Sequence, residues 1–378
     1  MKKYNLRKAL KLFIKHLYLK SVYGLFKLLK LEKGSFIFSS FYGEQYSGDP
    51  KAIYETLRDY NYGKRIVWVL NSNEMIDDCV IVKRYSLRHF YYLATSEFRV
   101  DNCQESYLLK PKPESIYLQT WHGTPLKKIA QDIEDNKFSR IKKDWFKDAN
   151  SWSYLLSSSE SIASKLSNAF SIPRDRVLEI GYPRNDLFFS CSNEKMQEIK
   201  NELGLPKRKK IILYAPTFRD GNPKFDLNLD LDVLNKKLGN DYIFLIRMHS
   251  NIKCSSMLSY EKNIIDVSNY HDVQNLMLIS DVLVTDYSSL FFDYAILKRK
   301  MIFYAYDLEE YESVCRGFYY NYKEFVPGDL VYNQNELIDS IFDESFDLQR
   351  VIDFNREFNP NSDNVSESVL RKLGVIDD

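Results

Sequence analysis

Residues 115–128 of the chain read SIYLQTWHGTPLKK. The apolar run at 115–118 predicts a strand, and the histidine, glycine and Thr-Pro step after it predict a turn where that strand ends. Ligands of α/β folds usually bind at this edge of a sheet. His122 is therefore the first candidate for chemistry, because an imidazole titrates near neutral pH. The alternative is a hydrogen-bonded histidine with a structural role in the turn.

Strands and helices alternate on both sides of this stretch. Apolar runs predict strands at 35–39, 65–70, 80–82, 115–120, 153–157, 177–181, 211–215, 242–246, 263–267, 281–286 and 301–304. Helical patterns lie at 49–59, 86–96, 159–170, 193–203, 272–279 and 290–297. The alternation predicts the α/β class, with an open parallel sheet in each half and a cleft between the two sheets.

The domain organisation follows from length and from the change of pattern near 190–206. A chain of 378 residues exceeds one hydrophobic core, so we expect two domains. The predicted domains are 32–195 and 196–378, and the last helices are expected to pack back on the first domain. Within the first predicted domain, residues 121–152 form a polar, lysine-rich span, whose length predicts a functional loop with short helices suited to acceptor recognition.

Residues 1–31 are a basic block that precedes the first acidic residue, Glu32. Leucine and phenylalanine recur at helical spacing between the lysines, which predicts an amphipathic helix able to lie on an anionic membrane surface. The stripe consists of Leu6, Leu10, Phe13, Leu17, Leu25 and Leu28. The alternative is an ordinary helix packed on the first domain. No run approaches the roughly 18 apolar residues of a membrane-spanning helix, so we expect peripheral attachment.

Charge and cysteine usage exclude several classes. The formal net charge is only +1, without the strong basic excess typical of nucleic-acid-binding proteins, and we expect no nucleic-acid partner. Five scattered cysteines without a CxxC pair fit a reducing cytosol. The Asp-Leu-Asp triplet at 230–232 has the spacing of a metal motif, but a lone triplet in a polar stretch is common by chance. No metal site is predicted.

The sequence TDYSS at 285–289 is the main motif of the second half. A buried strand ends there, and Ser288 and Ser289 stand at the start of a helix, where backbone N–H groups and the helix dipole attract a phosphate. The alternative is a plain serine N-cap. Asp286 would repel a phosphate, so its role stays open between orienting donors and holding a ribose or acceptor hydroxyl.

Cationic side chains follow two other predicted strands of the second half. Arg219 follows one of them, and Arg247 and His249 follow another. Together they can neutralise a diphosphate, although a single arginine at a strand end is more often a salt-bridge partner. Arg316, in an aromatic stretch at 311–320, belongs either to a loop that contacts base or phosphate or to the core.

Five motifs in this order resemble the CDP-glycerol glycerophosphotransferase family, the teichoic acid primases and polymerases. They are WHGTPLK at 121–127, APTFR at 215–219, RMH at 247–249, TDYSS at 285–289 and RGFY at 316–319. The resemblance implies a GT-B-like fold of two Rossmann-like lobes, with the nucleotide on the second lobe and peripheral attachment to the cytoplasmic face of the cell membrane. Phe218, where tryptophan is common, and Met248 are small departures from the family pattern.

The resemblance also implies roles for residues. His122 matches the general base and His249 the second histidine, near the diphosphate. The serine pair at 288–289 matches the phosphate-binding helix start of the family. From their charge we assign the arginines at 219, 247 and 316 to the same donor phosphates. Asp286 is placed in this donor-binding set with its role open. We assign Thr124 and Lys127 to the acceptor side.

The expected reaction transfers glycerol phosphate from CDP-glycerol to a hydroxyl of a polyprenyl-diphosphate-linked acceptor, with release of CMP. The chemistry demands no metal or other cofactor, and Mg²⁺ is an optional aid. Three alternatives stay open: a CDP-ribitol-dependent transferase, a GT-B glycosyltransferase using a nucleotide sugar, and a membrane scaffold with an inactive fold. The presence of both His122 and His249 argues against the scaffold.

Overall fold

The computed structural model describes residues 14, 16–134, 139–206, 208–217, 219, 227–248, 263–314, 317–361 and 363–377. The chain divides into two units. The first takes its described residues from Met1–His122, Ala130–Arg184 and Asn364–Asp378, and the second from Gly123–Ile129 and Asn185–Asp363. The division at Arg184 precedes the predicted boundary at 195, and the segment Gly123–Ile129 groups with the second unit rather than with the domain predicted to contain it.

The described part of the first unit contains one parallel sheet in the order β3-β2-β1-β4-β5-β6-β7. Its strands are β1 (Glu32–Ser39), β2 (Ile66–Val69), β3 (Val80–Val82), β4 (Ser96–Asp101), β5 (Ile116–Gln119), β6 (Tyr154–Ser157) and β7 (Val177–Glu179). Alternate side chains of β1 enter two cores. Phe36 and Phe38 pack with Trp68 on one face, and Ile37 packs with Phe90 on the other.

The described part of the second unit contains a parallel sheet in the order β10-β9-β8-β11-β12-β13. Its strands are β8 (Lys210–Ala215), β9 (Tyr242–Ile246), β10 (Ile264–Asp266), β11 (Val282–Thr285), β12 (Lys300–Tyr304) and β13 (Asp329–Val331). Strands β8, β9, β11 and β12 are buried almost throughout, as expected for a parallel sheet covered on both faces. Two parallel sheets in an α/β chain confirm this part of the predicted fold class.

Helices precede, separate and follow the strands of the described chain. They are α1 (16–26), α2 (Gly48–Asp59), α3 (Leu87–Thr95), α4 (Ser139–Ala149), α5 (Glu160–Phe170), α6 (Leu187–Ser190), α7 (Asn193–Glu202), α8 (Leu231–Leu238), α9 (Val273–Ile279), α10 (Leu290–Tyr294), α11 (Leu308–Val314), α12 (Tyr322–Phe325), α13 (Gln334–Phe342), α14 (Leu348–Phe358) and α15 (Val365–Lys372). Short 3-10 helices lie at Phe41–Gly43, Tyr107–Leu109, Ala130–Asp132, Arg174–Arg176, Pro183–Asn185 and Ala295–Leu297.

Strand β4 is the main element that the sequence patterns missed. It lies at the centre of the first sheet, between β1 and β5. Its charged residues hide an alternating pattern, because Phe98 and Val100 enter the core while Arg99 and Asp101 form a buried ion pair at 2.7 Å. A charged residue in a strand normally argues against burial of that strand. Arg99 and Asp101 can be buried here because they pair with each other.

Helix α1 packs with a different stripe from the one predicted. Leu19 and Tyr23 are buried in the core beneath it, whereas Leu25 and Leu28 of the predicted stripe are 66% and 81% exposed. Residues 1–13 and 15 of the predicted helix lie outside the described residues. In the described part of the chain, no helix combines the length and apolar character needed to span a bilayer.

The Asp-Leu-Asp triplet begins a helix that was predicted as a polar loop. The Asp230 carboxylate accepts a hydrogen bond of 3.0 Å from the Val233 backbone N–H and so caps α8. The triplet therefore has a structural function at this helix. No three potential metal-ligating side chains of His, Cys, Asp or Glu cluster anywhere among the described residues.

Candidate functional site

His122 lies just beyond β5, after a turn held by buried polar groups. The Gln119 side chain accepts a hydrogen bond from the Trp121 backbone N–H at 2.9 Å and donates one to the Cys103 carbonyl at 3.0 Å. Trp121 adopts a left-handed backbone conformation with φ of 58°. This conformation is unfavourable for a bulky residue, so the surrounding contacts must enforce it.

The protonation state of His122 follows from one hydrogen bond. Its Nδ1 lies 2.8 Å from the Asn102 backbone carbonyl oxygen. A carbonyl oxygen only accepts, so Nδ1 carries the proton and Nε2 is the nitrogen that can take up another. The His122 side chain is exposed to solvent, and its ring rests against that of Trp121 at 4.4 Å between centroids.

The surroundings of His122 favour its neutral form. Loss of hydration lowers the pKa of the imidazole, although the side chain stays solvent-accessible, because neighbouring protein atoms displace part of its water. The hydrogen bond to the Asn102 carbonyl raises the pKa, and the positive charge of Arg184 lowers it. The net lowering keeps Nε2 unprotonated near neutral pH, as a general base requires.

Asn102 is itself fixed from two directions. It is buried at the end of β4, where its amide donates to Ser40 Oγ at 3.0 Å and accepts from the Phe41 backbone N–H at 2.8 Å. The Phe41 ring lies 6.0 Å from that of His122. Asn102 therefore ties the ends of β1, β4 and β5 together around the imidazole.

A buried ionic cluster supports this edge of the first sheet. Arg84 contacts the Glu105 carboxylate through two nitrogens, at 2.7 and 3.3 Å. Asp148 accepts hydrogen bonds from the Glu105 backbone N–H and from Trp152. Burial raises the pKa of Asp148 to about 7 despite the nearby positive charge of Arg99. The cluster stabilises the segment after β4 that carries Asn102.

The segment after His122 packs within the second unit. An added Cβ at Gly123 would lie 2.5 Å from Ser289 Oγ, so a glycine permits this close approach. Thr124 is buried, and its hydroxyl has no hydrogen-bond partner among the described residues. Lys127 forms a backbone bridge with Phe318, and its Nζ lies 3.2 Å from the Tyr311 hydroxyl.

The predicted phosphate-binding groups follow neighbouring strands of the second sheet. Arg247 comes directly after β9, Arg219 follows β8, and Asp286 and the two serines follow β11. The three strands are adjacent in the order β9-β8-β11. Their carboxyl ends therefore bring these residues to one edge of the sheet.

Arg219 is engaged with carboxylates. Its Nε and Nη2 donate to the two Asp307 oxygens at 2.7 and 3.0 Å, and its Nη2 lies 2.9 Å from Asp286. Its Nη1 donates to the Thr217 carbonyl at 2.6 Å. The two carboxylates raise the pKa of Arg219 against the effect of burial. Most of the guanidinium's five donors are thus used within the protein.

Asp286 and Tyr287 complete this network. The buried Asp286 carboxylate accepts from the backbone N–H groups of Thr217 and Tyr287, at 2.8 and 2.5 Å. The Tyr287 hydroxyl donates to Asp307 at 2.9 Å, and its ring stacks on Tyr311 at 3.8 Å. Of the roles that the sequence left open for Asp286, orienting donors is the one these contacts support.

Arg247 contrasts with Arg219. Its Nη2 donates to the Tyr270 carbonyl at 3.4 Å, and its buried Nε has no hydrogen-bond partner among the described residues. Burial lowers the pKa of Arg247, against the opposing effect of Asp272. A desolvated guanidinium with unused donors is suited to bind an anion.

The serine pair begins a short helix. Ser289 is the N-cap of α10, but its side chain makes no capping hydrogen bond. Ser288 Oγ accepts a long contact of 3.4 Å from the Leu290 backbone N–H. Plain N-capping therefore does not account for Ser289, and the phosphate-binding role of the pair stays a prediction.

Two predicted site residues, His249 and Arg316, lie outside the described residues. Three further residues of these networks, Asn102, Gln119 and Asp307, were not predicted from the sequence. Asn102 and Asp307 follow the carboxyl ends of strands, which is the available signal. Nothing in the sequence indicates that Gln119 bonds the turn.

Comparison with known proteins gives a consistent result. The family model described as CDP-Glycerol:Poly(glycerophosphate) glycerophosphotransferase matches residues 21–374. A teichoic acid glycerol-phosphate transferase of Staphylococcus aureus is 41% identical over 354 residues, which cover 89% of this chain and 90% of that protein. A teichoic acid poly(glycerol phosphate) polymerase of Bacillus subtilis is 39% identical over 85% of this chain, but the match spans only 45% of that polymerase.

Two further comparisons bear on fold and donor. A solved structure of a histidine variant of the wall teichoic acid polymerase TagF, soaked with CDPG, has a TM-score of 0.86 and 34% identity, covering 99% of this chain and 98% of that one. A teichoic acid poly(ribitol-phosphate) polymerase of Bacillus spizizenii is 29% identical over 93% of this chain. Identity is thus higher with the glycerol-phosphate enzymes.

Proposed function

Because the chain belongs to the CDP-glycerol:poly(glycerophosphate) glycerophosphotransferase family, we propose that it transfers glycerol phosphate from CDP-glycerol to a hydroxyl of a membrane-linked acceptor in wall teichoic acid synthesis, releasing CMP. One observation carries the proposal. The family match at 21–374 spans both the His122 turn and the polar edge of the second sheet. As in a GT-B-like enzyme, we assign the acceptor to the first unit and the donor to the second.

His122 is the proposed general base. Its Nε2 takes the proton from the acceptor hydroxyl, and the oxygen then attacks the β-phosphorus of CDP-glycerol in line. A P–O bond to the acceptor forms as the bond to the α-phosphate of CMP breaks. The hydrogen bond from Nδ1 to Asn102 supports this assignment, because it leaves Nε2 as the basic nitrogen.

Arg247, Ser288 and Ser289 are the proposed donor-phosphate contacts. The unused donors of Arg247 support its assignment, because charge developing on the leaving CMP needs hydrogen-bond donors. We assign His249 and Arg316 to the same diphosphate from their motif positions. Arg219 and Asp286 orient the loops that carry these contacts, since their groups already bind each other. This role replaces direct phosphate binding by Arg219.

The acceptor is the hydroxyl end of a polyprenyl-diphosphate-linked molecule. Thr124 is a proposed substrate contact because its buried hydroxyl has no partner among the described residues. Lys127 belongs to the same segment, and its contact with Tyr311 favours a role in holding that segment. Higher identity with glycerol-phosphate enzymes than with a ribitol-phosphate polymerase favours CDP-glycerol as the donor.

Attachment to the cytoplasmic face of the cell membrane is part of the proposal. The outward face of α1 carries exposed leucines beside the exposed Lys20, a combination that binds anionic lipid surfaces.

The test is an assay of CMP release with purified protein. CDP-glycerol, CDP-ribitol and a nucleotide sugar are each supplied with and without a polyprenyl-diphosphate-linked acceptor. CMP release from CDP-glycerol that depends on the acceptor supports the proposal. Preferential turnover of either other donor would replace it.

A further inference from the structure

An open cavity lies at the carboxyl ends of β2 and β3, within the first unit. Its volume is about 590 Å³, within the range of about 300–1,000 Å³ typical of small-molecule sites. Buried apolar side chains of Leu70, Ile76 and Val82 form part of its lining. Met75, which is 84% exposed, also lines the cavity, and its unbranched side chain can adapt to an apolar ligand. The cavity can therefore accept an apolar group.

Two exposed cations, Lys83 and Arg88, also line this cavity. Glu74 is the one acidic residue in the lining. An apolar surface with two cations on its wall matches an amphiphile that has an apolar chain and an anionic group. A neutral small metabolite would not need the two cations.

The cavity and His122 lie along the same edge of one sheet. In the order β2-β1-β4-β5, three strand spacings of about 4.8 Å separate them, roughly 14 Å in total. Phe41 and Tyr42 follow β1 in left-handed conformations between these points. The Asn71 side chain, next to the cavity lining, contacts the Tyr42 carbonyl at 3.4 Å, and Phe41 reaches His122. An extended ligand can follow this edge.

A hydrogen bond connects α1 to the segment that carries part of the cavity lining. The Tyr18 hydroxyl donates to the Tyr85 carbonyl at 3.4 Å, and Tyr85 stands between two cavity-lining residues, Lys83 and Ser86. Leu17 of α1 is next to Tyr18 in the sequence, and Leu87 of α3 is close to Tyr85. Both leucines are exposed.

We infer that this cavity binds the diphosphate and the adjoining isoprene units of the lipid-linked acceptor, an inference that rests on the proposed function. Lys83 and Arg88 bind the diphosphate, and Met75 and Ile76 contact the isoprene chain. The head of the acceptor runs past Tyr42 and Phe41 to bring its hydroxyl to His122. The cavity thereby selects acceptors that carry the lipid diphosphate.

The experiment reverses the charge of the cavity with Lys83→Glu plus Arg88→Glu. We expect the KM for the polyprenyl-diphosphate acceptor to rise at least tenfold, because two charge contacts become repulsive, while the KM for CDP-glycerol stays unchanged. A second acceptor carries the same head group with a methyl group in place of the lipid diphosphate. Wild type should prefer the lipid form, and the variant should lose that preference. Met75→Asp should weaken the same preference.

A matched control reverses two exposed cations at the opposite edge of the sheet, Arg58→Glu plus Lys64→Glu. This control variant should retain the wild-type KM for the acceptor. An equal rise in its KM would show that the change in overall charge, and not the cavity, weakens acceptor binding. A normal acceptor KM in the Lys83 and Arg88 variant overturns the inference while transfer itself persists. Failure of the wild type to release CMP with any lipid-linked acceptor would instead contradict the proposed function.

Discussion

The hydrogen bond between His122 Nδ1 and the Asn102 carbonyl fixes which nitrogen can act as a base. Loss of hydration lowers the pKa of the same imidazole. The two effects act together, because one selects the tautomer and the other maintains the neutral form. The sequence predicted His122 at the end of its strand, but it could not supply Asn102, since that contact depends on a strand it did not predict.

The pH dependence of transfer should report this environment. The active form of a general base is unprotonated, so kcat/KM falls as pH decreases through the His122 pKa. Because that pKa is lowered, the acid limb should lie below the ordinary histidine value of about 6.5. Steady-state rates between pH 5 and 8 provide the measurement. An acid limb at or above pH 7 would contradict a lowered pKa for His122.

The carboxylate partners of Arg219 allow its two interpretations to be separated. If Arg219 orients loops, Arg219→Gln should reduce the free energy of unfolding by about 3 kcal/mol, because it leaves the largely buried carboxylates of Asp286 and Asp307 without their cation. Asp307→Asn should reduce it by less, because Arg219 keeps its contact with Asp286. The double variant should cost less than the sum of the two. Denaturant unfolding and CDP-glycerol binding are measured for all three variants.

A direct phosphate contact gives another pattern. Arg219→Gln would then weaken donor binding while the stability loss stayed small, and Asp307→Asn would leave donor binding intact. His271→Ala, which removes an exposed titratable side chain of the same unit, serves as the control for unspecific effects.

At the scale of elements, burial explains which predictions succeeded. Strand β9 was predicted with its observed bounds, because five consecutive apolar residues are typical of a buried parallel strand. Strand β4 was missed because Arg99 and Asp101 neutralise each other only after folding. Helix α8 was missed for a different reason: only Leu234 and Leu238 of this short helix are buried, and a polar N-cap sequence precedes it.

Strand β13 depends on a glycine. An added Cβ at Gly328 would lie 2.1 Å from the Met301 carbonyl oxygen of β12, and backbone cannot rotate away as a side chain can. Gly328→Ala should therefore reduce the free energy of unfolding by more than about 4 kcal/mol, measured by denaturant titration. At Gly63 an added Cβ meets nothing within 4 Å, so Gly63→Ala should be neutral or slightly stabilising. Equal stability of the two variants would contradict the pairing of β13.

At the scale of the whole molecule, membrane attachment depends on which apolar residues of the amino-terminal segment are exposed. The sequence pattern and the structure give different answers. The pattern predicted one apolar stripe, whereas α1 uses Leu19 and Tyr23 for the core, and Leu25 on the helix and Leu28 in the turn after it are exposed. The second set is free for lipid only because the first anchors the helix. A sequence pattern does not separate the two sets, since both are apolar and regularly spaced.

Vesicle binding tests this division of α1. Leu25→Glu plus Leu28→Glu should reduce cosedimentation with anionic vesicles severalfold at unchanged Tm, because both side chains are exposed. Leu19→Ala, a buried position, should instead lower Tm. Unchanged vesicle binding in the Leu25 and Leu28 variant would exclude this face of α1 as the lipid contact.

The measurement that tests the central claim most directly is CMP release from CDP-glycerol by wild type and by His122→Ala, with a polyprenyl-diphosphate-linked acceptor present or absent. We predict acceptor-dependent release by wild type. In the variant, release should fall about 10²–10⁴-fold while CDP-glycerol binding stays near normal, because the base acts on the acceptor hydroxyl. Near-normal turnover in His122→Ala, or wild-type release that ignores the acceptor, would contradict glycerophosphotransfer by this mechanism.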